Sequence, residues 1–141
     1  MSALYAESSA VLRWLLGASG GDRVRGALAA AATVVTSALT SAEVGRTLQR
    51  LVATEQIDGD AGERVWARYS VASQHWHIYR IDDDVLARAA QTFPREPVRT
   101  LDAIHLATAL RHALDVDAAT MLSLDSQVRA NARALGLGIA P

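Results

Sequence analysis

The chain contains neither cysteine nor lysine. Without cysteine there is no disulfide framework, no thiolate metal site and no thiol nucleophile, which fits a cytoplasmic protein. Without lysine, Schiff-base chemistry and a phosphate-binding P-loop are excluded. All 14 basic residues are therefore arginines, and against 15 acids they leave a formal net charge of -1. Nucleic-acid binders are usually more basic. Contact with RNA or DNA must then rest on a local arginine patch, with modest non-specific affinity and a shallow salt dependence. Long apolar runs are missing too, so the sequence predicts no membrane contact. The N-terminal apolar run is interrupted by Glu7 and Arg13 and has no positive leading region, so it reads as part of the fold and not as a signal peptide.

What is present suffices for one domain, residues 1–141, because 50% of the residues are hydrophobic and only 21% are charged. Leu4-Tyr5-Ala6 predicts a short strand, and Ser8 or Ser9 the cap of a helix to about Leu16. Gly17 to Gly21 break the chain before an alanine-rich helix, Asp22 to Ala31. The β-branched run Thr33 to Thr36 predicts a strand. A third helix opens at Thr40 and runs to about Thr54; another follows Gly59 and Gly62 and ends near Gln74. Trp76 to Arg80 predicts a strand, Asp82 to Asp84 cap a helix to about Thr92, and Pro94 and Pro97 hold a loop. Thr100 opens the most apolar helix, LDAIHLATALRHAL. Ala119 to Leu124 reads as a strand, Ser126 to Leu135 as a helix and Leu137 to Ile139 as a last strand, with no internal repeat or low-complexity linker. Alternating strands and helices imply an α/β fold with a parallel sheet covered by helices. In such sheets ligands bind beyond the carboxyl ends of the strands.

Four acids fall at those junctions: Glu7 after the first strand, Glu43 and Asp102 in the first turns of helices, and Asp125 after the fourth strand. If they converge, their mutual repulsion needs a counter-charge. A hard divalent cation such as Mg²⁺ or Mn²⁺, bound through oxygen, supplies it. The matching chemistry is metal-assisted phosphoryl hydrolysis. Local structure offers another reading of three of them. Thr40-Ser41-Ala42-Glu43 has the form of a capping box, Asp102 favours a helix dipole, and Asp125 suits an N-cap. Glu7 is the hardest to explain structurally, because glutamate is a poor N-cap.

The segments around these acids resemble a known family. YAESSAV is similar to the opening motif of PIN-domain proteins, a strand followed by an aspartate and two small polar residues. TSALTSAEVGRTL resembles their second motif, with its helical glutamate. RTLDAIHLATAL is the closest match, through Asp-Ala-Ile-His-Leu-Ala, and MLSLDSQVRANARALGL resembles the final motif, where Ser123 precedes Asp125 by two. The resemblance covers nearly the whole chain. It implies a PIN-like three-layer α/β/α sandwich with a central, mostly parallel sheet. It also implies a Mg²⁺ or Mn²⁺ site built from Glu7, Glu43, Asp102 and Asp125, and endonucleolytic cleavage of RNA phosphodiester bonds by a metal-activated water. Short single-domain bacterial members are mostly VapC-type toxins, which implies a VapB-type antitoxin partner, a homodimer and a cytoplasmic setting.

One departure divides the readings. The family's first acid is normally aspartate, and here it is Glu7. One extra methylene moves the carboxylate by roughly 1.3 Å, whereas catalytic groups tolerate about 0.5 Å. The chain is thus either an active toxin nuclease or a weakened PIN-fold module that binds antitoxin or RNA without efficient cleavage. A receiver-like or other α/β phosphohydrolase would need paired adjacent acids after the first strand or an Asp-x-Asp motif, plus a lysine; this chain has one acid after its first strand and no lysine at all.

Ser8, Ser9 and Ser123 are candidates to orient Glu7 or a bound water, against a capping role for the first two. Arg46 and Arg50 share a helical face with Glu43, for phosphate contact or for ion pairing with that acid. Arg13 either snorkels or reaches a phosphate. His105 reads as a packed, hydrogen-bonded histidine, Asp82 to Asp84 as a cap, His75 and His77 as surface or packing residues, and Trp14, Trp66 and Trp76 as separate core or interface anchors.

Overall fold

The computed structural model of the protein describes residues 3–141. Five strands form one sheet: β1 (Ala3–Ala6), β2 (Thr33–Ser37), β3 (His77–Tyr79), β4 (Ala119–Leu122) and β5 (Gly138–Ala140). Seven helices connect them: α1 (Ser8–Leu15), α2 (Gly21–Ala30), α3 (Leu39–Ala53), α4 (Gly59–Ser73), α5 (Asp83–Ala89), α6 (Thr100–Ala113) and α7 (Ser126–Ala134). The strand order is β3-β2-β1-β4-β5 and every pairing is parallel.

Alternation along the strands builds the three layers. Leu4 and Ala6 of β1, Val34 of β2 and Leu122 of β4 face a core closed by α1 to α4 through Val11, Leu15, Val24, Val44, Leu48 and Tyr69. The intervening Tyr5, Val35 and Met121 face the opposite core, closed by α6 and α7 through Leu106, Ala109, Val128 and Ala132. Helix α6 is buried over most of its length, from Ala103 to Ala109, and α5 covers its outer side with Val85 against Ile104 and Ala107. No helix among the described residues is long and apolar enough to cross a membrane.

The chain winds outward from β1 to β2 and β3, then returns to add β4 and β5 on the other side. The crevice where this order reverses, at the carboxyl ends of β1 and β4, is the natural ligand position. Glu7 leaves β1 there, and Ser123 and Asp125 leave β4 there.

Several boundaries differ from the sequence reading. β4 stops at Leu122, because the Ser123 hydroxyl turns back to accept the Asp125 amide at 3.1 Å. α5 stops at Ala89, short of Thr92. α3 begins at Leu39, and Thr40 and Glu43 form no capping box. The fully buried Thr40 hydroxyl instead pairs with Thr36 at 2.8 Å, and Glu43 turns to His105. Trp66 and Trp76 are not separate anchors, since both pack on Tyr69 with ring centroids 5.5 and 6.1 Å away.

The α1–α2 junction is closed by glycine. A Cβ on Gly21 would lie 2.5 Å from the Arg13 carbonyl oxygen, a backbone atom that cannot swing aside. Gly21→Ala is expected to cost about 1–3 kcal/mol as an overpacking defect, read as a lower urea midpoint with an unchanged slope. An unchanged midpoint would mean that the two helices separate freely.

Candidate active site

The site starts with the backbone. Glu7 continues β1 by donating its amide to the Leu122 carbonyl at 3.0 Å, then turns extended at φ -78° and becomes the N-cap of α1. Its side chain is 2% exposed. A carboxylate so deep needs hydrogen-bond donors, and it has four. Oε1 accepts from Ser8 Oγ at 3.1 Å and from the Ser9 amide at 3.0 Å; Oε2 accepts from Ser123 Oγ at 2.8 Å and from the Ser9 hydroxyl. Glutamate therefore acts as the cap that the sequence reading assigned to serine, and its longer reach also spans to β4. The start of α1 adds a favourable dipole.

Asp125 is the N-cap of α7, with Oδ1 accepting from the Val128 amide at 2.9 Å. The capping reading of this acid is correct, and Oδ2 remains directed at Arg99, 4.0 Å from its guanidinium. Asp102 enters from the first turn of α6 and accepts from Arg99 Nε at 3.3 Å. One exposed guanidinium thus lies against both aspartates. Burial raises the Asp102 carboxyl above its ordinary range; Arg99 opposes this, and the charges of Asp125 and Glu7 add to it. Glu43 comes from the first part of α3, and its Oε1 accepts from His105 Nε2 at 2.5 Å. His105 is fully buried, as a packed and hydrogen-bonded histidine should be, and it also meets Tyr5 Oη at 2.7 Å and Ser8 Oγ at 3.3 Å.

Of the remaining candidates, Ser8, Ser9 and Ser123 all bond to Glu7. Arg13 does not join them. It lies near the far end of α1, where it donates to the Ser19 carbonyl at 3.0 Å. Arg46 and Arg50 line an open cleft with Gln49 and Ala53, and among the described residues neither pairs with Glu43. The structure adds residues that the sequence reading missed. Arg99 is the counter-charge of Asp102 and Asp125. Asn131, fully buried on α7, holds the loop before α6 by accepting the Arg95 amide at 2.9 Å and donating to its carbonyl at 3.1 Å. Arg129 fixes the end of β4 by donating to the Ser123 and Ala140 carbonyls, both at 2.9 Å. Only Asn131, a polar residue in an otherwise periodic helix, left a signal in the sequence.

The donor chemistry suits a hard cation. Asp102 and Asp125 already share a positive group, and among the described residues Glu43 Oε2 and Asp102 Oδ1 accept no hydrogen bond. As posed, no group of three or more acidic or histidine side chains among the described residues could hold an ion. Glu7 is the least available of the four, since each of its oxygens already accepts two hydrogen bonds.

Residues 4–135 match the PIN domain family. The chain belongs to that family. Over 139 residues this PIN domain is 36% identical to Ribonuclease VapC46 of Mycobacterium tuberculosis (strain ATCC 25618 / H37Rv), covering 99% of this chain and 97% of that protein. Its fold is similar to that of the crystal structure of FitAcB from Neisseria gonorrhoeae, with a TM-score of 0.73 at 19% identity, covering 98% of this chain and 96% of that one. A toxin–antitoxin complex from Klebsiella pneumoniae superposes with a TM-score of 0.65 at 19% identity over 99% of this chain and 97% of that one.

The strain at Asp102 has a sign that can be measured. A carboxyl whose folded value is raised above 3.8 favours the folded state at low pH, and that advantage is lost as pH rises through the raised value. In EDTA, Asp102→Asn is therefore expected to escape this loss and to gain stability relative to the parent as pH rises out of the acid range. Urea titrations at a series of pH values read the difference; a constant difference would show that the carboxyl is not strained.

Proposed function

We propose that this PIN domain is a Mg²⁺- or Mn²⁺-dependent endoribonuclease, the toxin of a toxin–antitoxin pair. The observation that carries the reading is the shared guanidinium. Asp102 and Asp125 lie against one Arg99 guanidinium, and the charges of Asp125 and Glu7 both act on Asp102. The match to Ribonuclease VapC46 supports the choice of RNA hydrolysis. The toxin–antitoxin complex among the structural neighbours supports an inhibitory VapB-type partner. The sequence resemblance further supports a homodimer acting in the cytoplasm.

Asp102, Asp125 and Glu43 would hold the ion through their open oxygens once their side chains turned toward it, since among the described residues no three such groups stand gathered for it, and Glu7 would join them only if Ser9 or Ser123 turned away. Bound there, the ion supplies charge neutralisation and Lewis acidity for phosphodiester hydrolysis. The protein's own part is to hold the acids. α6 presents Asp102 from its first turn, Asp125 caps the start of α7, His105 fixes Glu43, and Ser8, Ser9 and Ser123 fix Glu7. With the aspartates neutralised by an ion, Arg99 would be free to meet an RNA phosphate, and Arg46 and Arg50 on α3 are further candidates for phosphate contact.

The test is cleavage of total RNA by purified, antitoxin-free protein. Discrete products are expected with Mn²⁺ or Mg²⁺, none with EDTA, and a loss of more than about 100-fold for Asp102→Asn, since outer-shell changes alone cost 10–100-fold in metal sites. Absence of cleavage by folded protein with either metal would overturn the reading. The saturated carboxylate of Glu7 favours the weakened-module reading; activity gained on Glu7→Asp would then identify the extra methylene as the cause. The double variant Arg46→Ala/Arg50→Ala is expected to weaken RNA binding and to flatten its salt dependence by about 0.7 in slope per lost phosphate contact. An unchanged slope would remove those arginines from the RNA track.

A further inference from the structure

We infer that His105 is a positioning residue for Glu43, set in its role by Tyr5. This goes beyond packing and rests on the proposed metal site. The buried chain of contacts runs Tyr5 Oη to His105 Nδ1 at 2.7 Å, then His105 Nε2 to Glu43 Oε1 at 2.5 Å, with Ser8 Oγ 3.3 Å from the same nitrogen. Tyr5 and His105 are both 0% exposed, so no solvent competes for these bonds.

The directions of the bonds follow from donor and acceptor chemistry. A carboxylate only accepts, so the bond to Glu43 requires the proton on Nε2. In a ring that carries one proton, placing it there leaves Nδ1 as an acceptor, and the Tyr5 hydroxyl is the donor that fits it. Ser8 spends its own proton on Glu7 Oε1 at 3.1 Å, which leaves its oxygen to accept the weaker branch from Nε2. One consistent set of protons thus runs from Tyr5 through His105 to Glu43, with a branch through Ser8 to Glu7.

A histidine needed only for packing could bond to any backbone carbonyl of its own helix. This one crosses from α6 to α3, where it ties down a flexible side chain that faces the crevice. Glu43 Oε1 is held by Nε2, and Oε2 is left for a cation. Tyr5 selects the tautomer that makes this possible. With Nδ1 protonated instead, Nε2 would present a lone pair to a carboxylate and drive Glu43 out of place. Outer-sphere partners of this kind orient ligands in known metal sites.

The experiment joins two readouts on the intact protein. The first is long-range ¹H–¹⁵N NMR of the His105 ring without metal, where the Nε2-protonated tautomer is expected in the parent and is lost or mixed in Tyr5→Phe. The second is Mn²⁺ affinity by calorimetry. Tyr5→Phe, which keeps the buried ring, is expected to weaken Mn²⁺ binding about 10-fold, and His105→Phe by up to 100-fold. His105→Gln places an amide donor near the position of Nε2 and needs no partner to set its tautomer. It is expected to bind nearly as the parent does, and adding Tyr5→Phe to it should cost nothing more, a non-additivity that packing alone does not produce. An Nδ1-protonated ring in the parent, or parent-like Mn²⁺ affinity in folded Tyr5→Phe and His105→Phe, overturns the inference. A parent that binds no Mn²⁺ while showing the expected tautomer switch overturns the metal-site reading and leaves the Tyr5–His105–Glu43 relay supported.

Discussion

The carboxyl edge of the sheet is organised around one buried carboxylate. Glu7 sits where β1 and β4 separate, and removing a charge from water there is tolerable only because donors come from both sides of the crevice. Each donor belongs to an element that carries another part of the site. The Ser9 amide is the start of α1. Ser123 is the turn from which Asp125 launches α7, and Ser8 leads to His105 and from there to Glu43. The geometry of the other acids is therefore coupled to the hydrogen bonds of the first.

A second constraint is repulsion. At Asp102 it adds to burial, which is the main cause of its raised carboxyl: the charges of Asp125 and Glu7 push the same way, against Arg99. The structure meets this with two different positive or donor groups. Arg99, on an exposed side chain, lies against the two aspartates, while the buried His105 serves Glu43. The difference in burial matters. An exposed ion pair is worth little and is easily displaced, whereas a fully buried hydrogen bond to a charged group is costly to break. Arg99 therefore holds the two aspartates loosely, and His105 holds Glu43 fast.

Much of this was legible in the sequence. The order of strands and helices, the parallel sheet and the placing of four acids at junctions follow from periodicity, β-branched runs and the punctuation of Gly17, Gly59 and Pro94. The capping role of Asp125 was also readable, because an acid before a helix has a local effect. What failed were local rules overruled by tertiary contacts. Thr40 and Glu43 match a capping box, yet the Thr36 hydroxyl and the His105 ring, four and 62 residues away, compete for them and win. Glutamate is a poor cap in isolation, yet Ser123, 116 residues on, makes it a good one here. Arg99 carried no sequence signal at all, since its meaning depends on α6 and α7 starting side by side.

The extra methylene of Glu7 can be weighed on the same terms. An aspartate in the same backbone position would cap Ser9 by the usual short reach, but would fall about 1.3 Å short along the direction now taken. The bond to Ser123 Oγ, at 2.8 Å, has little slack to absorb such a change. Glutamate thus exchanges openness for a firmer tie between β1 and β4. The same substitution that stabilises the crevice fills the lone pairs a cation would use, so the balance between a rigid edge and an available ligand is set at this one residue.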